Sequence, residues 1–191
     1  MSAEIQAEIL ALFRETGVLL SGHFLLTSGQ HSPLFLQCSQ VMQYPDHAAY
    51  LARLLAAPFR EAKIQTVIGP AMGGIILAHE VARQLGARAL FAEKADGRLL
   101  LRRGFRITRG ERVLVVEDAV TTGGSVRRVL QLVRAAGAEP VGVAMLVDRS
   151  GGRVDFGVPQ RALLELDIPI YAPEACPLCR DGLPLTAPKE E

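Results

Sequence analysis

The sequence has no tryptophan, 5% aromatic residues, three cysteines and almost no charge excess, with 21 basic against 20 acidic side chains and a formal net charge of +1. Each shortage excludes something. Balanced charge leaves no general electrostatic case for binding nucleic acid or an anionic membrane surface. No apolar run reaches the roughly 18 residues that a membrane span requires. The first segment, MSAEIQAEIL, sets acids inside its apolar positions, against the pattern of a secretory signal. An odd, small number of cysteines suits a reducing compartment better than a disulfide framework. The expected location is the cytoplasm.

What is present is aliphatic. Hydrophobic residues make up 49% of the 191 positions, enough for one compact domain over 1–191 with a small accessory piece. Apolar residues at helical spacing (Ile5, Ile9, Leu12, Phe13) predict a helix over 2–16, ended by Gly17. Two extended runs, His23–Thr27 and Pro33–Cys38, flank Ser28-Gly29-Gln30 as in a hairpin. A helix is expected over 45–62, with Pro45 in its first turn. Strands (66–68, 88–92, 113–116, 141–147, 162–166) then alternate with helices (73–85, 124–136). That alternation predicts an α/β fold, an open, mostly parallel central sheet flanked by helices. From Pro173 onward, proline and polar residues predict loop.

The most informative stretch is VLVVEDAVTTGGS, Val113 to Ser125. A strand buried on both faces runs into two acids, then a hydroxyl-rich glycine loop, then a helix. In an open α/β sheet the ligand site lies at the carboxyl ends of the strands. Thr121, Thr122 and Ser125 offer hydroxyls. Gly123 and Gly124 let backbone amides approach an anion, and the new helix adds its positive end. Glu117 and Asp118 are misplaced for phosphate alone. They make sense beside sugar hydroxyls or a water-held Mg2+, so the run points to a phosphorylated sugar. An ordinary capped strand–turn–helix connection would explain the glycines and threonines, but not two acids at the end of a buried strand. No nucleoside-triphosphate P-loop and no G-x-G-x-x-G follows a strand.

This run resembles the 5-phosphoribosyl-1-diphosphate (PRPP) motif of the type I phosphoribosyltransferases: a strand, two acids, two variable residues (here Ala119 and Val120), then T-x-G-[ST]. Thr121 and Gly123 fit, and Gly124 stands where many members carry Ser or Thr. The resemblance implies that Glu117 to Ser125 hold PRPP. The loop takes the 5-phosphate and the acids contact the ribose, with Asp118 counted among the catalytic groups.

Three further segments are similar to the orotate phosphoribosyltransferases. Gly22 to Pro33 matches an F-x-L-x-S-G-x-x-S-P segment at Phe24, Leu26, Ser28, Gly29, Ser32 and Pro33. In that family the segment lies in a hood over the base, here about 18–40 plus a C-terminal segment on a core of about 45–170. Phe35 and Leu36 follow where the family sets apolar side chains against the pyrimidine. Gly69 to Ile75 is similar to the family's G-P-A-x-x-G-I loop. Asp148-Arg149 is similar to a D-R pair whose arginine grips the orotate carboxylate, a planar fork meeting a planar anion. By the same resemblance Thr121 adds a hydrogen bond to orotate.

The chain departs from the family at its mobile loop, usually R-K-x-x-K-x-H. Lys94 aligns with the first lysine, Glu93 stands in the arginine's place, and no histidine follows. Thr27 replaces a hood lysine, and Gly73 stands where many members carry lysine. Ala95-Asp96-Gly97 reads as a tight turn that sets Arg102 and Arg103 on a returning arm. Lys94, Arg102 and Arg103 are the expected diphosphate contacts, with Lys94 catalytic.

Cys176-Pro177-Leu178-Cys179 is a C-x-x-C pair. A structural zinc site needs four ligands, and the only other cysteine is Cys38, with no histidine nearby in the chain. The expectation is a pair of unmetallated loop thiols. The alternatives are half a zinc site completed by another subunit, or a redox pair lacking its usual context.

Taken together, the resemblance implies Mg2+-dependent transfer of the ribose 5-phosphate group from PRPP to orotate, with no direct protein ligand to the metal and a homodimer sharing its sites. A purine phosphoribosyltransferase and a non-catalytic PRPP-sensing regulator are the alternatives.

Overall fold

A computed structural model describes residues 2–26, 28–95 and 97–187. Helix α1 (Ala3–Glu15) is capped by the Ser2 hydroxyl, which accepts from the Ile5 amide. Strands β1 (Leu19–Leu25) and β2 (His31–Leu36) form an antiparallel hairpin, apart from the main sheet. A single turn, α2 (Ser39–Met42), leads to α3 (Pro45–Ala56). The chain then alternates through β3 (Thr66–Pro70), α4 (Gly74–Leu85), β4 (Arg88–Ala95), β5 (Arg98–Leu100), β6 (Arg112–Val120), α5 (Gly124–Ala135), β7 (Glu139–Asp148) and β8 (Gln160–Glu165). A final short turn of helix, α6, spans Pro177–Arg180.

The six-stranded sheet has the order β5-β4-β3-β6-β7-β8, parallel except for β5 at its edge. This is the architecture that strand–helix alternation implies. Successive residues of β6 point to opposite faces, and both faces are covered. Leu114 and Val116 pack with Ile9, Phe13, Leu51 and Leu77 from α1, α3 and α4. Val113 and Val115 pack with Val126, Val129 and Leu130 from α5. Burial on both sides explains why β6 reads as an unbroken aliphatic run.

The structure corrects four expectations. The helix expected over 45–62 is α-helical only to Ala56 and continues as 3-10 helix over Ala57–Ala62. Pro58 supplies no amide for the next turn, which accounts for the change. Strand β6 extends through Val120, beyond the expected end at Val116, so the two acids that follow the aliphatic run lie within the strand itself. The arm returning from β4 is short: β5 ends at Leu100, and Arg102 and Arg103 lie in the following turn, with Arg103 at φ 56°. Asp96, in the expected turn, lies outside the described residues, as does Thr27. Finally, the segment after Pro173 is not plain loop. Besides α6, Thr186 pairs with Phe24, and Tyr171, just before this segment, pairs with His31, so the late part of the chain adds itself to both strands of the hairpin.

Candidate functional site

The site forms where β6 leaves the centre of the sheet. Glu117 is buried, and its burial, reinforced by the adjacent Asp118, pushes its carboxyl up to about 9. It is therefore protonated at neutral pH in the free protein. The Asp118 Oδ1 accepts from the Ala119 amide at 2.6 Å, which fixes the second acid at the start of the loop.

Beyond Val120 the chain turns around a recess of about 200 Å³, lined by Glu117, Thr121, Thr122, Gly123, Gly124 and Ser125 among others. Gly123 sits at φ +74°, and a Cβ there would lie 2.8 Å from Phe156 and Val154, so only glycine fits. Helix α5 starts at Gly124 with no side chain bonded to its first amides. Those amides are left for an anion to meet, with the positive end of the helix behind them. Arg127 steadies the loop from below: its Nη1 donates to the Thr122 carbonyl at 2.7 Å, and its Nη2 to the Asp155 carbonyl at 3.2 Å. Arg128 also lines the recess. Sequence reasoning missed it, although a residue four places into a helix projects back over the first turn.

The loop after β3 closes one side. Gly69 and Gly74 approach so closely that a Cβ on Gly69 would lie 2.5 Å from the Gly74 carbonyl oxygen. The Ala71 amide donates to the Ala92 carbonyl at 2.8 Å, and the Ala71–Met72 peptide is cis. Gly73 lies directly against the Asp118 carboxylate.

The next strand brings Arg149. Its amide donates to the Val120 carbonyl at 2.7 Å, which holds the end of β7 against the end of β6. The guanidinium is half-buried, its Nε is buried with no hydrogen-bond partner, and burial lowers its pKa. Among the described residues it has no ion-pair partner. A desolvated, unpaired guanidinium is costly unless an anion completes it. Cys38, just past β2, is buried with its Sγ 3.9 Å from the Asp118 carbonyl. Burial, then Asp118, hold its thiol far above the ordinary range, while Arg149 opposes the shift. The hairpin thus reaches the same end of the sheet. Phe35 is buried there, its ring 5.7 Å from that of Phe24.

The cationic arm is arranged otherwise than its sequence implied. The Arg103 Nε donates to Glu93 Oε1 at 2.7 Å, and its guanidinium lies 6.0 Å over the Phe91 ring. Phe91 in turn meets Phe105 edge-on at 5.1 Å. The acid that replaces the family's arginine is answered by an arginine ten residues on. Lys94 and Arg102 are exposed.

The two thiols expected to stand alone do not. His23 and His31, on the two strands of the hairpin, meet Cys176 and Cys179. The sequence hid this because the four residues lie in two stretches far apart in the chain.

Known proteins share this geometry. Residues 38–156 match the model of the phosphoribosyl transferase domain family. The chain is 55% identical to orotate phosphoribosyltransferase of Caldanaerobacter subterraneus over 181 residues, 95% of each chain. It is 56% identical to orotate phosphoribosyltransferase of Pelotomaculum thermopropionicum over 181 residues, again 95% of each. The crystal structure of Mycobacterium tuberculosis orotate phosphoribosyltransferase superposes with a TM-score of 0.72 at 27% identity, covering 85% of this chain and 96% of that one. A glycine- and hydroxyl-rich loop at the end of β6, an arginine at the end of β7 with no ion pair among the described residues, and relatives matched along nearly their whole length lead to one assignment: the chain belongs to the orotate phosphoribosyltransferase family.

Proposed function

We propose that this protein transfers the ribose 5-phosphate group of PRPP to N1 of orotate, giving orotidine 5′-monophosphate and diphosphate. The observation that carries the choice of base is Arg149, half-buried beside the cradle with a buried, unpartnered Nε. It is the group that a carboxylated pyrimidine would complete.

In this reading the Thr121 to Ser125 loop and the first amides of α5 hold the 5-phosphate, with Thr122 and Ser125 as hydroxyl donors and Arg128 adding charge at the rim. Glu117, protonated in the free protein, and Asp118 take the ribose hydroxyls. Orotate lies between Arg149 and the hairpin, which acts as the hood, with Phe35 on its apolar side and Thr121 at its edge. The C1–O bond to diphosphate breaks early, its electron pair leaving with the diphosphate, the ribosyl centre becomes oxocarbenium-like, and orotate N1 closes the new C1–N bond as its proton passes to a diphosphate oxygen. No protein nucleophile is needed. Catalysis comes from positioning and electrostatics: Asp118 near the developing positive charge, Lys94 and Arg102 on the leaving diphosphate, and exclusion of water. Arg103 contributes less, because Glu93 already holds it.

Mg2+ belongs to this reading. The surroundings fit a hard cation that keeps its own water: the Asp118 carboxylate, fixed by a backbone amide and flanked by glycine backbone, would accept from that water and not bind the ion directly. When bound it offsets the charge of the diphosphate. A cytoplasmic homodimer with a shared site completes the reading, and sedimentation equilibrium tests the dimer.

The decisive assay supplies PRPP and Mg2+ with orotate, or with a purine base, and follows diphosphate release. Orotate-dependent release is expected. Turnover on a purine alone would make it a purine enzyme, and binding of PRPP without turnover on any base would make it a sensor.

A further inference from the structure

His23, His31, Cys176 and Cys179 lie outside the site described above, and the transfer reaction gives them no role. Their ligand atoms all fall within 4.8 Å of one another. The His23 Nε2 lies 3.0 Å from the His31 Nδ1, 3.6 Å from the Cys176 Sγ and 3.7 Å from the Cys179 Sγ, and the Cys179 Sγ lies 3.3 Å from the His31 Nδ1. A tetrahedral ion with bonds of roughly 2.0–2.1 Å to nitrogen and about 2.3 Å to sulfur sets its ligands about 3.3–3.8 Å apart. The separations of 3.3, 3.6 and 3.7 Å fall in that range, the 3.0 Å histidine pair is tighter, and all pairs lie within 4.8 Å, so small side-chain adjustments complete a tetrahedron.

Three further observations point the same way. The His23 Nδ1 lies 2.9 Å from the Leu183 carbonyl oxygen, so it donates there and leaves the Nε2 lone pair aimed at the cluster. A metal-bound histidine is oriented in this way. His23, His31 and Cys176 are buried, and Cys179 alone is exposed. Cys176 and Cys179 bracket the start of α6, where Pro177 opens the helix, so both thiols project to one side of a tight turn.

We propose that these four residues bind one structural zinc ion. Two imidazoles and two thiolates in tetrahedral array favour zinc over hard cations. Four protein ligands leave no open position for a substrate, so the ion holds structure and does no chemistry. What it holds is specific. His23 lies on β1, His31 on β2, and the cysteines on the segment that bridges to both strands through Thr186 and Tyr171. The ion pins three chain segments into the hairpin that carries Phe24 and Phe35.

The test uses the full chain, grown in zinc-supplemented medium and purified without a metal-affinity tag. Elemental analysis should find about one zinc per chain, and the Cys176→Ser/Cys179→Ser double variant should lose it. Cys38→Ser, which removes the remaining thiol, should retain it. Replacing zinc by Co(II) in the unmutated protein should give the intense visible bands of a tetrahedral ion and a thiolate charge-transfer band in the near ultraviolet. Removing the ion by chelator should expose two thiols to titration and lower the unfolding midpoint. Metal-free protein from zinc-rich medium, a Cys176–Cys179 disulfide in the purified chain, or weak octahedral cobalt bands would each overturn the proposal. The cobalt spectrum is recorded on the unmutated protein, so it tests the site whether or not the variants fold.

Discussion

Gly73 and Asp118 are packed so closely that a Cβ on the glycine would run into the carboxylate. This contact accounts for a departure in the sequence, glycine where many relatives carry lysine. Here the position is used to bring bare backbone against the acid. Gly73→Ala should push Asp118 out of line and lower kcat/KM for PRPP by about 10- to 100-fold, the range for a small misplacement of a reacting group. The unfolding midpoint, measured alongside, should change little, since the loop is at the surface. An unchanged kcat/KM would mean that Asp118 does not act from this position.

Arg149→Ala should raise the KM for orotate by about 100-fold, the scale of a lost charge-assisted hydrogen-bond pair. The KM for PRPP should stay within a few-fold. Arg149→Lys should recover only part of the loss, because a point charge does not reproduce the planar fork. Steady-state kinetics with each substrate varied in turn checks all three.

The raised carboxyl of Glu117 has a signed consequence. Between the ordinary glutamate value of 4.5 and about 9, the folded protein keeps a proton that the unfolded chain has lost. Stability from this group therefore falls as pH rises through that window. Glu117→Gln removes the dependence. The stability of the variant relative to the parent should grow steadily from about pH 5 to about pH 9 in urea melts.

Glu111 has the opposite sign. Burial alone would raise its pKa, but hydrogen bonds from the Thr108 amide, the Thr66 and Thr108 hydroxyls and Arg88 prevail and bring it to about 2. Its contribution is present above the ordinary value of 4.5 and is lost as pH falls towards about 2. It joins β3, β4 and the turn before β6 below the sheet, away from the cradle. Glu111→Gln should cost about 2 kcal/mol of stability while leaving both KM values unchanged, as thermal melts and kinetics would show.

Lys94→Ala should lower kcat by about 100-fold, whereas Arg103→Ala should lower it only a few-fold, because Glu93 already engages that guanidinium. Equal losses in single-turnover measurements would show that Arg103 leaves Glu93 when the site closes.

Much of this was legible in the residues. Two-face burial wrote β6 as an aliphatic run, and the acids near its end with the glycines and hydroxyls after it marked the recess, because local chemistry sits in contiguous sequence. Arg149 was readable as a strand-end arginine within a matching segment. What escaped depends on contacts between distant positions. The Glu93–Arg103 pair needs the fold-back beyond β5. The His23–His31–Cys176–Cys179 cluster needs the late segment to lie on the early hairpin. No local period or spacing encodes either. Arg128 was missed for a different reason: a helix-start arginine reads as an ordinary solvated charge until the recess beneath it is seen.

The bridging of the hairpin by Tyr171 and Thr186 also orders events in time. Cys176 follows His23 in the chain by 153 residues. At roughly 5–20 residues per second of synthesis, the hairpin waits about 8–30 s for its third segment. The cradle around Thr121 is made of nearly consecutive residues and can form before then. The hairpin that carries Phe24 and Phe35 is therefore completed only after every strand from β1 to β8 has been made.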